Sequence, residues 1–576
     1  MSGNGARVEL RGARRQGPAF QFDFGGRVID AYQGETIAAA LIAAGEWTFR
    51  RTRDGEGRGP FCGMGVCGEC LVEVDGAPRR ACFEKAAPNL RVSPAQAQAA
   101  YAPRAQKTAA AVRTLTPEVL IVGAGPASLA AASEAAAAGL DVLVIDERAK
   151  AGGQYFKQPA DGFAIAENRL DAQFREGAAL YDKARAAGAS FLFRTTAWAG
   201  AADPLEILAV SPDAPLRIRP RLVFLAQGAY ERNIAVPGWT TPGVMTTGAA
   251  QTFLRAYLTT PGKRVLIAGN GPLNLQLARE LTDAGARVVA VAEAAPAPGP
   301  SSVLDAAAMT LAAPGLMLEG ASHLLTLARR RTPVLYGTAL SAVYGQGRVE
   351  AASLRRLGAD GTFLDAPERR FEADAVCIGY GFAPQSELAR ALGCAFEFSA
   401  ARGVLEAVRA EDGRSSLENV YIVGDGGGLG GARAALAQGA LAGQSAASVL
   451  GRGGDAARAA RLRRELRRAQ RFQRALWRLF EAPLITSQFA DAETVICRCE
   501  SVRKGTLAGL CEDGWRSVGS AKRATRAGMG RCQGRYCASM AAAMMGPAPL
   551  GETSLFAPRA PGKPVRLADI AAYAED

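Results

Sequence analysis

The sequence predicts an α/β protein in which two nested Rossmann-like dinucleotide-binding domains lie between two small cysteine-containing domains. Two Gly-x-Gly turns each follow a short apolar run and precede a helix-forming stretch, as in the βαβ units of such domains. Eight of the 11 cysteines form two sets of four, one before the first turn and one near the C-terminus. The 576 residues are enough for three to five domains, at about 150 residues per domain.

Composition and charge are those of an ordinary soluble protein. Hydrophobic residues make up 49% of the chain and charged residues 21%, and no run of about 18 apolar residues is present to span a membrane. The basic N-terminus lacks the apolar segment of a secretory signal. The net charge of +13 comes without a nucleic-acid-binding motif, so we expect an acidic partner or an anionic cofactor and no nucleic acid. We expect a cytoplasmic protein, and contact with the inner face of the membrane stays open.

The first cysteine set consists of Cys62, Cys67, Cys70 and Cys82. Its C-x4-C-x2-C spacing is that of plant-type [2Fe-2S] ferredoxins. The alternating residues 71–74 and the turn at Asp75 and Gly76 predict a hairpin that returns Cys82 to the loop. The gap before Cys82 is shorter than in those ferredoxins. A structural zinc ion is the alternative, although only one of the two expected CxxC-like pairs is present.

Residues upstream complete this first domain. The stretch 28–37 and the alanine-rich helix predicted after it resemble a small β-grasp ferredoxin module. We expect the module to end near residue 100 and the Ala- and Gln-rich stretch 95–112 to be a linker.

The first dinucleotide unit begins with the apolar strand 119–122. Gly123 permits the tight turn and Gly125 lets the backbone approach a pyrophosphate at a helix N-terminus, while Ser128 replaces the third glycine. Glu147 lies 24 residues after Gly123, at the end of the next buried strand, and is placed to bind ribose hydroxyls. The candidate cofactor-binding residues are Gly123, Gly125, Pro126, Ala127, Ser128, Glu147, Arg148, Gly153 and Gln154.

A second unit repeats this pattern inside the first. The strand 264–268 precedes Gly269 and Gly271, and Glu293 again lies 24 residues after the first glycine. A carboxylate at this position disfavours a 2′-phosphate, so the sequence predicts NAD rather than NADP if either binds. Another adenine nucleotide, or a purely structural role, stays open.

Two later segments favour FAD for the first unit. Residues 222–228 resemble the strand that crosses between the two units and ends at Gly228, and residues 419–425 resemble the second FAD motif, with Gly424 and Asp425. The four signatures together resemble two-dinucleotide-domain flavoproteins of the pyridine-nucleotide-disulphide-reductase class. No cysteine pair stands beside the flavin motifs in the sequence, so we expect no disulphide reduction.

The second cysteine set consists of Cys497, Cys499, Cys532 and Cys537. Its C-x-C and C-x4-C pairs, separated by 32 residues, resemble the [2Fe-2S] domain of bacterioferritin-associated ferredoxin (BFD). Lysine, arginine and glycine residues within 522–530 would offset the negative charge of such a cluster and raise its reduction potential. Zinc is again the alternative.

The order of these domains resembles one family from about residue 20 to the C-terminus, with Cys-Arg-Cys-Glu at 497–500 and Gly-Met-Gly-Arg-Cys-Gln-Gly-Arg-Tyr-Cys at 528–537. The family is the large (alpha) subunit of heteromeric FAD/[2Fe-2S] amino-acid or opine dehydrogenases, of the opine oxidase, hydrogen cyanide synthase and hydroxyproline or proline dehydrogenase type. The fused N-terminal ferredoxin domain is similar to that of sarcosine oxidase alpha, which continues differently beyond the shared part.

The resemblance implies a role in electron transfer within a larger complex. A smaller FAD-dependent, glycine-oxidase-like beta subunit would oxidise the C–N bond of an amino acid, opine or related secondary amine. Electrons would then pass to this chain, the electron-transfer subunit, with an FMN at the subunit boundary left open. The substrate, the terminal acceptor (respiratory chain or quinone) and the stoichiometry stay open, and no catalytic residue is assigned. The alternatives are a self-sufficient NADH-dependent FAD/[2Fe-2S] oxidoreductase and a zinc-binding scaffold without a redox role.

A basic amphipathic helix is predicted at 456–480, with leucines on one face and arginines around the rest. Packing on its own protein, contact with a membrane surface and docking on a partner subunit all stay open. The predicted boundaries are 1–100 for the β-grasp domain, 101–116 for the linker, 117–260 and 376–450 for the FAD-binding domain, 261–375 for the NAD-like domain, 451–485 for the basic helix, 490–545 for the BFD-like domain and 546–576 for the C-terminal tail.

Overall fold

The computed structural model describes residues 6–96, 110–545 and 550–574. Most of the predicted linker and the start of the predicted tail therefore lie outside the described residues. Within those ranges, no helix combines the length and the apolar composition that crossing a bilayer requires.

The N-terminal domain is built on a five-stranded sheet with one short helix, the β-grasp arrangement that the sequence predicts. Its elements are β1 (Ala13–Arg15), β2 (Phe20–Phe24), β3 (Arg27–Ala31), α1 (Ile37–Ala43), β4 (Arg50–Arg51), β5 (Gly57–Arg58), β6 (Leu71–Val74), β7 (Ala77–Arg80) and β8 (Arg91–Pro94). The sheet has the order β3-β2-β8-β6-β7. Every residue of α1 is buried, because its small side chains allow the helix to lie close to the sheet. The β6–β7 hairpin turns at Asp75 and Gly76, both with positive φ, and leads the chain back to Cys82.

The first dinucleotide-binding domain follows. The elements of its first segment are β9 (Arg113–Leu115), β10 (Val119–Val122), α2 (Pro126–Ala137), β11 (Val142–Asp146), β12 (Phe163–Ile165), α3 (Ala172–Ala186), β13 (Ser190–Phe193), β14 (Thr196–Ala202), β15 (Leu205–Val210), β16 (Pro215–Ile218), β17 (Leu222–Leu225) and β18 (Ala229–Glu231). Strands β10 and β17 are buried along their whole length, as expected for the centre of a parallel sheet.

The second dinucleotide-binding domain is inserted at this point. Its elements are β19 (Val244–Thr246), α4 (Thr247–Tyr257), β20 (Arg264–Gly269), α5 (Pro272–Asp283), β21 (Arg287–Glu293), α6 (Val303–Ala312), α7 (Pro314–Arg329), β22 (Val334–Tyr336), β23 (Thr338–Tyr344), β24 (Ala351–Arg356), β25 (Arg369–Glu372) and β26 (Ala375–Gly379). Five of the strands form a parallel sheet of order β19-β26-β20-β21-β22. Strands β19 and β26 extend this sheet beyond the predicted bounds 261–375, because a three-residue strand such as β19 is too short to show periodicity.

The chain then returns to the first domain. The returning elements are β27 (Phe382–Pro384), α8 (Glu387–Ala391), β28 (Phe396–Ser399), β29 (Val404–Ala407), β30 (Val420–Ile422) and α9 (Gly431–Val449). Strand β30 completes a parallel sheet of order β13-β11-β10-β17-β30, and β27 pairs with β18 where the chain crosses between the domains. Helix α9 packs on α2 so closely that a Cβ at Gly439 would lie 2.0 Å from the Ala127 carbonyl oxygen.

A long basic helix and a second small domain end the chain. Their elements are α10 (Ala456–Leu479), β31 (Val495–Cys497), β32 (Val502–Arg503), α11 (Lys504–Glu512), α12 (Val518–Thr525), α13 (Ala538–Met545) and α14 (Leu567–Ala571). Helix α10 packs on α9 and α6 and buries Leu462 and Leu466, while most of its arginines stay exposed. Of the contacts predicted for this helix, the structure shows packing on its own protein.

Candidate functional site

The first cysteine loop, residues 59–70, holds three buried thiols in a turn made by glycines. Gly63, Gly65 and Gly68 all have φ between 60° and 69°, a region that favours glycine. The backbone N–H groups of Met64 and Cys67 donate to Cys62 Sγ at 3.5 and 3.4 Å. Burial alone would raise the pKa of the Cys62 thiol, but the neighbouring Cys67 thiol and these N–H groups lower it to about 6. The loop therefore stabilises negative charge on Cys62 Sγ, whereas burial raises the pKa of Cys67 and the neighbouring Cys82 thiol raises that of Cys70.

The four sulfurs of this set lie in two contacting pairs. The Cys67 thiol lies beside Cys62 and helps to lower its pKa, and the Cys82 thiol lies beside Cys70 and raises the pKa of that thiol. A tetrahedral zinc site needs four sulfurs around one centre, whereas a [2Fe-2S] core takes two thiolates on each iron. The paired arrangement fits the two-iron group.

The second cysteine set sits between β31 and the start of α13. Cys499 Sγ lies 3.8 Å from Cys497 Sγ and 3.7 Å from Cys532 Sγ, and Cys537 is hydrogen-bonded to Cys497. A Cβ at Gly530 would lie 2.4 Å from Cys499 Sγ, so the loop requires glycine there. Cys499 is partly exposed and the other three are buried. This donor set, with its glycine-lined sulfur, also fits a [2Fe-2S] cluster.

The dinucleotide motifs surround one large cavity of about 1010 Å³. At its first-domain end, Gly123 has φ +105°, and a Cβ there would lie 2.6 Å from the Ala226 carbonyl oxygen. Gly125 begins α2 and leaves the N-terminus of that helix open to the cavity. The same cavity is lined by Cys62 and Met64 of the first cysteine loop. The flavin motifs and the first cysteine set thus share one space.

Charged side chains mark both ends of the first-domain groove. Lys563, from the tail of the chain, donates to Glu147 at 3.0 and 3.2 Å, and both residues line the cavity. Asp425 accepts from the N–H groups of Gly430 and Gly431 at 2.8 and 3.0 Å. Burial raises the pKa of Asp425, and these two N–H bonds oppose the rise. The groove can hold an anionic dinucleotide between a helix N-terminus and fixed hydrogen-bonding groups.

Sequence reasoning missed a buried polar group in the same cavity. Lys157 Nζ donates to the Gln154 carbonyl oxygen and to Gln251 Oε1, both at 2.7 Å, and Glu231 Oε2 accepts from the Gly248 N–H at 2.8 Å. Burial lowers the pKa of Lys157 to about 7 and raises that of Glu231 to about 7. No local motif identifies these residues or Lys563, because they come from separate segments.

The structure brings most of the predicted dinucleotide residues to the cavity. Those that line it are Gly123, Gly125, Pro126, Ala127, Glu147, Arg148, Gly153, Gln154, Gly228, Gly271, Gly424 and Asp425. Ser128 is fully buried within α2, where its small side chain lets the helix pack closely. Gly269 does not line the cavity either. It packs against β26, where a Cβ at this position would lie 2.0 Å from the Gly379 carbonyl oxygen.

Glu293 lies beneath the second glycine turn. Its carboxylate accepts from Asn270 Nδ2 and from the N–H groups of Gly271 and Ala295, at 2.8 to 2.9 Å, and only 1% of the residue is exposed. A β-bulge at Val289 explains this position, because the β20–β21 register shifts by one residue there. The residue that follows Glu293, Ala294, lines the cavity instead.

The first unit has no such shift. Its strands pair in step to Val122 and Ile145, and Asp146 Oδ2 accepts from the Ala124 N–H at 2.6 Å beneath the first glycine turn. Glu293 therefore occupies the place of Asp146, and Ala294 the place of Glu147. The equal spacing in the sequence conceals a difference of one residue in the structure.

Comparison with protein families agrees with this division of the chain. A family described as 2Fe-2S iron-sulfur cluster binding domain matches residues 17–97. The pyridine nucleotide-disulphide oxidoreductase family matches residues 117–439, and a BFD-like [2Fe-2S] binding domain matches residues 495–546.

Curated relatives share this organisation over most of the chain. The A subunit of opine oxidase from Agrobacterium tumefaciens (strain Ach5) is 33% identical over 474 residues, which cover 79% of this chain and 91% of that protein. The HcnB subunit of hydrogen cyanide synthase from Pseudomonas aeruginosa is 31% identical, over 73% of this chain and 90% of that protein. The alpha subunit of sarcosine oxidase from Corynebacterium sp. (strain P-1) is 28% identical, over 76% of this chain but 45% of that protein.

A solved structure shares the fold along nearly the whole chain. L-proline dehydrogenase from P. horikoshii superposes with a TM-score of 0.72 at 19% identity, covering 98% of this chain and 99% of that one. At this identity the likeness establishes the architecture alone.

Proposed function

The chain belongs to the family of the opine oxidase A subunits, and on this premise we propose that it is the electron-transfer subunit of a heteromeric dehydrogenase. The C–N bond of an amino acid, opine or related secondary amine is oxidised in a smaller partner, which is a FAD-dependent protein of the glycine-oxidase type. This chain accepts the electrons and passes them to an acceptor outside itself, a quinone or a protein of the respiratory chain.

One observation carries the proposal. Cys62 and Met64, from the first cysteine loop, line the same cavity as Gly123 and Gly125 of the first dinucleotide turn. A flavin held by those glycines would be in the same space as a ligand of the first cluster. A two-electron group and a one-electron group are therefore neighbours, which is what a relay requires and what a hydrolase or a scaffold does not.

The residues of the first domain can hold FAD without a further partner. The open N-terminus of α2 at Gly125 would hold the pyrophosphate, and Glu147 would accept hydrogen bonds from ribose hydroxyls. Lys563 donates to the Glu147 carboxylate, and Asp425, in the segment that resembles the second FAD motif, also lines the cavity and would bind the ribityl chain or the pyrophosphate. Bound FAD supplies two-electron chemistry and each [2Fe-2S] cluster supplies one-electron transfer.

Lys157 and Glu231 manage protons in the flavin cavity. Electron transfer to and from a flavin is accompanied by proton uptake and release, and both residues are buried with a pKa of about 7. Lys157 Nζ is held by the Gln154 carbonyl oxygen and Gln251 Oε1. The Gly248 N–H donates to Glu231 Oε2, and Oε1 is the oxygen that can hold a proton.

The second unit is proposed to take an adenine nucleotide other than NAD, or none. A carboxylate at the end of the second strand normally accepts the ribose hydroxyls of NAD. Ala294 occupies that place, and Glu293 already accepts three hydrogen bonds from its own turn. This arrangement disfavours the self-sufficient NADH-dependent oxidoreductase. An FMN at the boundary with the partner remains part of the proposal, with no residue of this chain assigned to it.

Anaerobic purification of the chain alone tests the cofactor content and the alternative together. We expect about one FAD and about four iron atoms per chain, negligible zinc, and no rapid bleaching of the flavin by NADH. The tagged chain purified from its native source should carry a second flavoprotein and reduce a dye in the presence of an amine substrate. Rapid bleaching by NADH in the lone chain would instead support the self-sufficient enzyme.

A further inference from the structure

The two cysteine sets, far apart in the chain, lie against each other in the fold. Phe61 precedes Cys62, and its ring meets the ring of Tyr536 edge-on at 5.3 Å between centroids. Tyr536 precedes Cys537. The Arg498 guanidinium, between Cys497 and Cys499, covers the same Phe61 ring at 4.1 Å. Side chains next to the cysteines of one set therefore contact side chains next to the cysteines of the other.

A buried carboxylate joins the two loops. Glu69, between Cys67 and Cys70, is 1% exposed and accepts from Arg498 Nε at 3.1 Å across 429 residues of sequence. Arg50 donates to the same carboxylate, and Arg58 Nε lies 3.8 Å from it. Removing one partner of such a buried ion pair leaves the other charge buried without compensation, so the contact is demanding to maintain.

Further contacts join the two cysteine loops to each other and to the dinucleotide-binding domains. Arg498 also donates to the Trp239 carbonyl oxygen at 2.7 Å, and Trp239 Nε1 donates to the Val495 carbonyl oxygen at 2.7 Å. A Cβ at Gly68 would lie 3.1 Å from the Arg531 Cβ, so even an alanine there would press on the second loop. The Thr246 N–H donates to the Phe61 carbonyl oxygen at 2.8 Å and ties the first loop to the second dinucleotide domain.

From this geometry we propose that the two cysteine sites form one electron-exchanging pair, which Glu69 and Arg498 hold together, with the first site between the flavin cavity and the second. Of the eight cysteines, all within the described residues, Cys62 alone lines the flavin cavity. Cys499, in the second set, is the one that is partly exposed. Electrons enter at the first site and leave the chain at the second.

The exchange itself is a one-electron step that needs no other reactant. The first site is oxidised by one electron, the second is reduced by the same electron, and no bond or proton moves. An external one-electron acceptor then reoxidises the second site. Two such transfers in succession fully oxidise a two-electron donor such as a reduced flavin. The inference rests on the proposed function for the presence of the two clusters and for the flavin that supplies electrons to the first site.

Electron paramagnetic resonance of the full chain tests the pair directly. Anaerobically purified protein is reduced fully with dithionite, and its spectrum is compared with those of Cys70→Ser and Cys532→Ser, each of which retains one intact set. We expect the spectrum of the unaltered chain to be split or broadened by interaction between the two centres. A spectrum equal to the sum of the two single-site spectra would overturn the pair.

A charge substitution tests the role of Glu69. Glu69→Gln removes a negative charge that contacts both loops, so the midpoint potentials of both sites should rise in a titration followed by paramagnetic resonance. Glu73→Gln is the matched control, on β6 of the same hairpin, and should leave the second site's potential unchanged. A shift confined to the first site would overturn the shared role of Glu69.

The outcomes separate this inference from the proposed function. Two cluster signals without magnetic interaction would overturn the pair and leave the proposed electron-transfer role intact. If protein purified after growth with added iron shows neither cluster signal, both the pair and the proposed electron-transfer role are overturned. If Glu69→Gln does not fold, the spectrum of the unaltered chain still decides the matter.

Discussion

The two dinucleotide units resemble each other in sequence and differ in the residue that the end of the second strand presents to the cavity. Each has a strand, a Gly-x-Gly-Pro turn, a helix and an acidic residue 24 positions after the first glycine. In the first unit that acid, Glu147, reaches the cavity. In the second, a bulge at Val289 draws Glu293 under the glycine turn and leaves Ala294 at the cavity.

The glycine turn and the ribose acid are therefore independent requirements. In both units a carboxylate, Asp146 or Glu293, accepts backbone N–H groups of the turn and so stabilises its shape. Only the first unit adds a second acid beyond it. The second unit therefore keeps the fold of a dinucleotide-binding domain without an acid at the position that corresponds to Glu147.

Alanine substitutions in the two turns should differ most strongly. Gly123→Ala and Gly271→Ala impose similar backbone strain, about 1–3 kcal/mol, since the two φ angles are +105° and +109°. At Gly123 the new Cβ would also lie 2.6 Å from the Ala226 carbonyl oxygen, whereas at Gly271 nothing lies within 4 Å. Gly123→Ala should lose its FAD and unfold at lower temperature, measured by flavin absorbance and thermal melting. Equal FAD retention in both variants would contradict the steric reason.

Exchange of the two acids for amides should give opposite results. Glu147→Gln should weaken FAD binding about 10- to 100-fold, from a charge-assisted hydrogen bond worth about 1.5–3 kcal/mol. Glu293→Gln should leave FAD affinity unchanged but destabilise the protein by about 1–3 kcal/mol, because a buried acceptor of three N–H groups is altered. Fluorescence titration of FAD and chemical unfolding measure the two effects. Weaker FAD binding in Glu293→Gln would show that the two acids do not differ in role.

Restoring the missing acid should make the second unit more like the first. Ala294→Glu places a carboxylate where the first unit has Glu147, so NADH affinity should rise about tenfold over that of the unaltered chain. Calorimetric titration with NADH and with NADPH measures the gain, which should favour NADH because the new charge repels a 2′-phosphate. Ala295→Glu, one residue further along, serves as the control and should bring no gain.

A weaker effect is a pH trend that belongs to the flavin cavity. Burial raises the pKa of Glu231 to about 7 from 4.5, so the native protein binds an additional proton between these pH values. Its contribution to the free energy of unfolding is complete below pH 4.5 and is lost as the pH rises towards 7. Glu231→Gln removes this loss, so its stability should rise relative to the unaltered chain by on the order of 1 kcal/mol. Melting curves of the two proteins that stay parallel from pH 4.5 to 7 would contradict the raised pKa.

Much of the fold could be predicted because its signals are local. Each cysteine set is recognisable by its spacing, and Gly123 and Gly125 stand between an apolar strand and an alanine-rich helix. The domain order and the two small iron-sulfur domains follow from such patterns and match the families found. The domain boundaries were harder to predict from the sequence. Val244–Thr246, for example, joins the second sheet as a strand of three residues, which is too short to show a periodic pattern.

Local patterns were enough to predict candidate cofactor-binding residues, because the eight thiols, the glycine turns and Glu147 lie in short motifs. They did not reveal Lys157, Glu231 or Lys563, which come from separate segments. How those motifs meet depends on the folded chain as a whole. The bulge at Val289 that buries Glu293 depends on strand register, which packing of the whole sheet sets. The contact of Glu69 with Arg498 joins loops that are 429 residues apart in the sequence. No local pattern encodes it, because its two partners lie in separate domains that meet only in the folded chain.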